Sequence, residues 1–199
     1  MAKGRGRKPQ RKQHDAMLMA DADDFNDFMV SVADPWSKPA RRKACWHHGT
    51  AVFKLDGRTI GAASNRGARI PANTALLVDC AADEFYCSDS RTGAEAELSK
   101  FVLVPDVIRL PWHDGEAPPV LHAFWLAVWD RMTKPGDHVV FTCIGGHGRT
   151  GTAIAAMLMV IGKMTAAQAV EAVRTKHCVE AIETRPQEEY LRALEGESK

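Results

Sequence analysis

The sequence predicts an α/β domain in which a central, largely parallel sheet is flanked by helices. Three observations predict it. Short segments rich in Val, Ile, Leu and Phe alternate with longer stretches whose apolar residues recur at helical spacing. A glycine-rich loop, Ile144-Gly145-Gly146-His147-Gly148, lies where a strand pattern gives way to a helix pattern, and open α/β sheets bind ligands at such carboxyl ends. Finally, 199 residues with 45% apolar content and nearly balanced charge suit one globular domain with a sizeable core.

Along the chain, residues 1–14 read as a disordered basic arm. Residues 1–13 hold six of the 26 Lys and Arg and none of the 25 acidic residues, leaving the remainder net acidic. Such an arm suits contact with nucleic acid or another polyanion, although a merely solvated terminus has the same composition. Residues 15–32 mix Met, Phe, Val and acids at helical spacing before Asp34-Pro35-Trp36 breaks the pattern, so 15–50 read as an N-terminal helix and linker.

The main domain, 51–199, opens with a hairpin: Ala-Val-Phe-Lys-Leu at 51–55, a tight Asp56-Gly57 turn, and 58–60 returning. Residues 75–79 read as a buried strand, and 101–104 with 107–110 supply further strand material. Val120, Leu121, Phe124, Trp125, Val128 and Met132 fall on one helical face. The β-branched and aromatic run 138–141 enters the glycine-rich loop, and the small apolar run 153–161 leaves it as a helix. Thr165 and Gln168 are spaced as a capping box for a helix to about Thr175, and Pro186 suits the first turn of another.

Composition also excludes classes. No run of about 18 apolar residues is present, and no apolar signal-peptide core, so membrane insertion and export are not expected and a cytoplasmic location is. Cys45, Cys80, Cys87, Cys143 and Cys178 are too scattered for a disulfide framework. Cys45-Trp46-His47-His48 invites a zinc reading, but no Cys-x2-Cys or His-x3-His unit supports it, so no metal or other cofactor is expected.

The loop carries the chemistry. Glycines let successive N–H groups turn inward, and the helix behind adds its positive dipole end, which together make a cradle for a dianionic phosphate. Its lining would be the backbone of Ile144, Gly145, Gly146, His147 and Gly148, with Arg149. Arg149 offers a planar fork to two phosphate oxygens, and Cys143 stands at the other end as nucleophile. An ordinary thiol ionises near pH ~8.5, so a reactive one needs the positive potential that this cradle supplies. A Walker A reading fails because no Lys-Ser/Thr follows the glycines.

Cys143, Gly146, Arg149, Thr150 and Gly151 resemble the signature His-Cys-x-x-Gly-x-x-Arg-Ser/Thr-Gly of the cysteine-based protein tyrosine phosphatase superfamily. Thr142 replaces the histidine that in that family helps keep the nucleophile ionised. Trp112-His113-Asp114 resembles its Trp-Pro-Asp loop, which implies Asp114 as general acid, with His113 and Glu116 as alternatives. Gln187 resembles its water-placing glutamine, against the reading of a solvated early helix residue, and the Thr150 hydroxyl is placed to donate to the Cys143 sulfur as the phosphoenzyme breaks down. His147 points from the middle of the cradle, toward substrate or toward water. Cys80, at the end of a strand, is similar to the resolving cysteine of some members, which implies a reversible disulfide with Cys143.

The resemblance implies a phosphorylated protein as substrate, phosphotyrosine first and phosphoserine or phosphothreonine next. An RNA 5′-triphosphatase is the enzymatic alternative, because of the basic arm. A non-catalytic phosphate-binding scaffold is the other, because of Thr142.

Overall fold

The computed structural model describes residues 36, 51–64, 71, 73–82 and 106–197. The expected basic arm, the N-terminal helix over 15–32, the strand at 101–104, and Cys45, His47, His48 and Cys87 lie outside them.

Among the described residues five strands form one sheet: β1 (Ala51–Leu55), β2 (Arg58–Ser64), β3 (Thr74–Asp79), β4 (Val107–Arg109) and β5 (His138–Cys143), in the order β1-β2-β5-β3-β4. Only the β1–β2 hairpin is antiparallel, and β2–β5, β5–β3 and β3–β4 are parallel, so the largely parallel sheet is observed. Asp56 and Gly57 both take positive φ, 52° and 72°, which matches the right-handed twist of a tight hairpin. Strand β2 runs beyond the expected 58–60 because its Ile60, Ala62 and Ala63 are buried beside β5. Val139, Val140 and Phe141 of the central β5 are wholly buried, as a strand covered on both faces requires.

Among the described residues four helices flank the sheet: α1 (His122–Asp130), α2 (Gly148–Val160), α3 (Ala166–Lys176) and α4 (Arg185–Glu197). All thirteen residues of α2 are buried, which is why, Arg149 apart, its sequence is apolar or small on every side. It starts at Gly148, five residues earlier than the apolar run at 153–161 suggested, because Arg149 and Thr150 are themselves in the first turn. The α3 capping box forms, with Gln168 N donating to Thr165 Oγ1 at 3.2 Å and Thr165 N to Gln168 Oε1 at 2.9 Å.

One helical face differs from expectation. Trp125, Val128 and Met132 are buried, but Leu121 precedes α1 and is 68% exposed. Trp129 fills the stripe instead, stacked under the Arg58 guanidinium at 4.1 Å while Arg58 Nη1 donates to the Trp129 and Met132 carbonyls at 3.2 and 2.8 Å. Among the described residues no helix is long and apolar enough to cross a membrane.

Candidate active site

The parallel register places the carboxyl ends of four strands along one edge, with Ser64 opposite Cys143, Thr142 opposite Asp79, and Asp79 opposite Arg109. The segments that leave this edge after β4 and β5 contribute to one site.

Leaving β5, residues 144–147 turn into the N-terminus of α2, and the Cys143 side chain is buried. Gly146 has φ 74°, a conformation that L side chains rarely adopt, and its N–H donates to Cys143 Sγ at 3.2 Å. The loop therefore curls around the sulfur. Gly148 is glycine for a second reason. A Cβ there would stand 3.1 Å from Gln187 Nε2, 3.2 Å from its Oε1, and against the Glu183 carboxylate.

Leaving β4, Leu110 N donates to Asp79 O at 2.8 Å, and the buried Trp112 closes its own turn by donating from Nε1 to Glu116 O at 2.8 Å. That turn carries Asp114. The loop that holds Asp114 and the helix that follows Cys143 are joined by Arg149, only 2% exposed, whose Nη1 donates to Trp112 O at 3.0 Å and whose Nη2 lies 3.2 Å from Asp114 Oδ1. Asp114 stays largely in solvent, and its neighbours His113 and Glu116 are exposed.

From the far end of the chain, Gln187 is fully buried in the first turn of α4, not solvated. Its Oε1 accepts from Glu183 N at 2.9 Å, and its Nε2 has no hydrogen-bond partner among the described residues. The buried Thr150 Oγ1 is in the same condition. Buried polar atoms without partners are uncommon in folded proteins and cluster where function demands them. Both belong to residues that border the loop: Thr150 follows Arg149, and Gln187 lies against Gly148.

His147 turns neither simply to water nor to an open cradle: its Nδ1 lies 3.1 Å from Cys178 Sγ. Beside it, His177 Nε2 meets Gly146 O at 2.7 Å. Sequence reading missed His177, Cys178 and Glu183, because nothing local marks the residues between α3 and α4 as neighbours of a loop thirty positions upstream. Cys80 follows β3 directly, with its N–H on Thr142 O at 2.8 Å. Burial pushes its thiol well above the ordinary range; Cys143 and Asp79 push the same way, while Arg149 and the Thr142 hydrogen bond oppose.

No protein-family model matches the chain. Curated relatives match in part. Two uncharacterised proteins of Methanocaldococcus jannaschii are 45% identical over 56 and 53 residues, and a phosphatidylinositol 3,4,5-trisphosphate 3-phosphatase of Schizosaccharomyces pombe is 35% identical over 111 residues. These matches cover 28%, 27% and 54% of this chain but only 36%, 31% and 28% of those proteins, about a third of their length. Solved structures match more widely. The phosphatase Tk-PTP in its active form superposes with a TM-score of 0.51 at 25% identity, over 73% of this chain and 96% of that one. A kinase associated phosphatase with serine at its catalytic-site cysteine gives 0.52 at 17% identity, over 71% and 86%. A mouse putative dual specificity phosphatase gives 0.53 at 18% identity, over 79% and 92%. With the cysteine-to-arginine loop at the carboxyl end of the central strand, the chain resembles the cysteine-based protein tyrosine phosphatase superfamily and has its fold.

Proposed function

We propose that the chain is a cysteine-dependent phosphatase that hydrolyses phosphate monoesters through a phosphocysteine at Cys143, with phosphotyrosine in proteins as the favoured substrate. The observation that carries it is Arg149, which binds the loop after the nucleophile to the loop of the acid through one buried guanidinium.

In the first step the Cys143 thiolate attacks phosphorus held by the amides of 144–148 and the Arg149 fork. The P–O bond to the substrate breaks as Asp114 passes its proton to the leaving oxygen. In the second step water attacks phosphorus, Asp114 takes the water's proton, and the P–S bond breaks to return the thiolate. Gln187 Nε2, without a partner among the described residues, supports a role in orienting that water, and Thr150 Oγ1, likewise without one, supports donation to the departing sulfur.

Residues 144–148 include no Lys or Arg, which favours a single phosphate over a polyphosphorylated inositol head group. The test compares wild type, Cys143→Ser and Asp114→Asn on p-nitrophenyl phosphate, a phosphotyrosine peptide and phosphatidylinositol 3,4,5-trisphosphate. Cys143→Ser should abolish turnover and keep phosphate binding, and Asp114→Asn should lower kcat by roughly 10²–10⁴-fold on the phosphotyrosine peptide and by less on p-nitrophenyl phosphate, whose leaving group is less basic. Wild type as inactive as Cys143→Ser would overturn the reading. Faster turnover of the lipid than of the peptide would overturn the substrate class alone.

A further inference from the structure

We propose that His177 is a positioning residue of the phosphate cradle: it holds the peptide between Gly146 and His147 so that the His147 N–H is turned toward the bound phosphate. The inference rests on the reading of the loop as an anion cradle and deepens it.

The loop needs such a hold. Gly145, Gly146 and Gly148 lack the Cβ that would restrict φ and ψ, so steric preference alone does not fix which way their peptides face. A cradle works only when its N–H groups point inward together. Gly146 takes its two polar groups in different directions, N–H to Cys143 Sγ at 3.2 Å and C=O to His177 Nε2 at 2.7 Å. A carbonyl only accepts, so Nε2 carries the proton. The peptide that follows is planar and trans, with its C=O and N–H antiparallel. Drawing the Gly146 carbonyl toward His177 therefore sends the His147 N–H the opposite way, away from His177 and toward the ligand side.

His177 is itself well anchored. It ends α3, with its N–H on Val173 O at 2.9 Å. The next residue takes hold of the same loop position by another route, since Cys178 Sγ lies 3.1 Å from His147 Nδ1 and is fixed in turn by Glu180 N at 3.3 Å. One turn back, Arg174 donates to the Ala181 and Ile182 carbonyls, each at 3.1 Å, and so braces the segment against α3. Two consecutive residues thus grip His147, one through the peptide before it and one through its ring. Burial and the nearby His147 lower the His177 pKa against the pull of the Gly146 carbonyl, which favours a neutral ring with a single N–H.

Isosteric amides test the bond. Glutamine carries its amide nitrogen where histidine has Nε2, and asparagine carries it where histidine has Nδ1, so both lose the ring and only glutamine restores the donor. Inorganic phosphate protection of Cys143 against iodoacetate, followed by mass spectrometry, reads the phosphate Kd; kcat/KM on p-nitrophenyl phosphate is the second readout. His177→Asn should weaken phosphate binding about tenfold, the scale of one lost hydrogen bond to a charged ligand, and His177→Gln should recover most of that loss. Equal Kd values for His177→Gln and His177→Asn, with both variants folded by circular dichroism, would overturn the inference whether they match wild type or fall below it. Failure of phosphate to protect wild type would overturn the cradle reading itself, and this inference with it.

Discussion

Cys143 and Arg149 are legible from sequence because their relation is local: a fixed spacing, glycines between, and a strand and a helix on the required sides. Cys80 is different, since its relevance depends on strand order. The β5–β3 pairing that puts Asp79 opposite Thr142 sets Cys80 beside the nucleophile's strand, where its thiol is completely buried and raised well above its ordinary pKa. A protonated, inaccessible thiol is inert to alkylating agents. We propose that it reacts only within the fold. Peroxide oxidises the Cys143 thiolate to a sulfenic acid, and the Cys80 thiol condenses with it to form the S–S bond and release water. Iodoacetamide at neutral pH should leave Cys80 unlabelled in the folded protein. Digestion after mild peroxide, without reductant, should yield the linked Cys80–Cys143 peptides. Sulfinic acid at Cys143 beside unmodified Cys80 would refute the exchange.

Among the elements, those with a strong period or a cap were legible, and those defined by what packs on them were not. The α3 capping box is fully specified by two side chains three residues apart. The start of α2 was hidden because Arg149 and Thr150 look polar in sequence, yet both are buried against the rest of the site. Leu121 shares the apolar periodicity of Trp125 and Val128 but precedes α1 and stays exposed, while the indole of Trp125 reaches across to α4 and donates to Tyr190 Oη at 2.7 Å. Gly151 makes the close contact of α2 with the segment after α3. A Cβ there would stand 2.6 Å from Ala181 Cβ and 3.3 Å from Ile182 N, and Ile182 already holds φ 61°. A β-branched residue in that region is strained, so the segment has little freedom to retreat. Gly151→Ala should therefore destabilise the fold by roughly 1–3 kcal/mol despite the higher helix propensity of alanine, read as a lower urea midpoint at unchanged m. A variant as stable as wild type would show that 181–182 can move.

At the scale of the whole molecule, the site is an agreement among three segments far apart in the chain: 110–121 after β4, 143–149 after β5, and 178–187 between α3 and α4. The sheet brings the first two together, and in the sequence Asp114 is singled out only by the resemblance of 112–114 to the family's acid loop. The third arrives through helix packing, and of its residues the sequence singles out only Gln187, by resemblance. Its tie to the acid loop is specific: Thr184 Oγ1 donates to Gly115 O, the residue after Asp114, and Gly115 has φ 76° in that turn. Thr184 immediately precedes α4 and Gln187 lies in its first turn, so the segment that holds the acid loop also carries the buried amide beside Gly148. Thr184→Val keeps the shape of the side chain and removes the donor. Without it the Asp114 loop keeps its ties through Trp112 and Arg149 but loses the one to α4, and proton delivery to the leaving oxygen should suffer more than attack by sulfur. We expect kcat to fall about three- to tenfold on alkyl phosphates, whose leaving groups need the proton, and to change little on p-nitrophenyl phosphate. A series of aryl and alkyl phosphates would show this as a steeper dependence of rate on leaving-group basicity. An equal loss across the series would instead mean that Thr184 supports the cradle and not the acid.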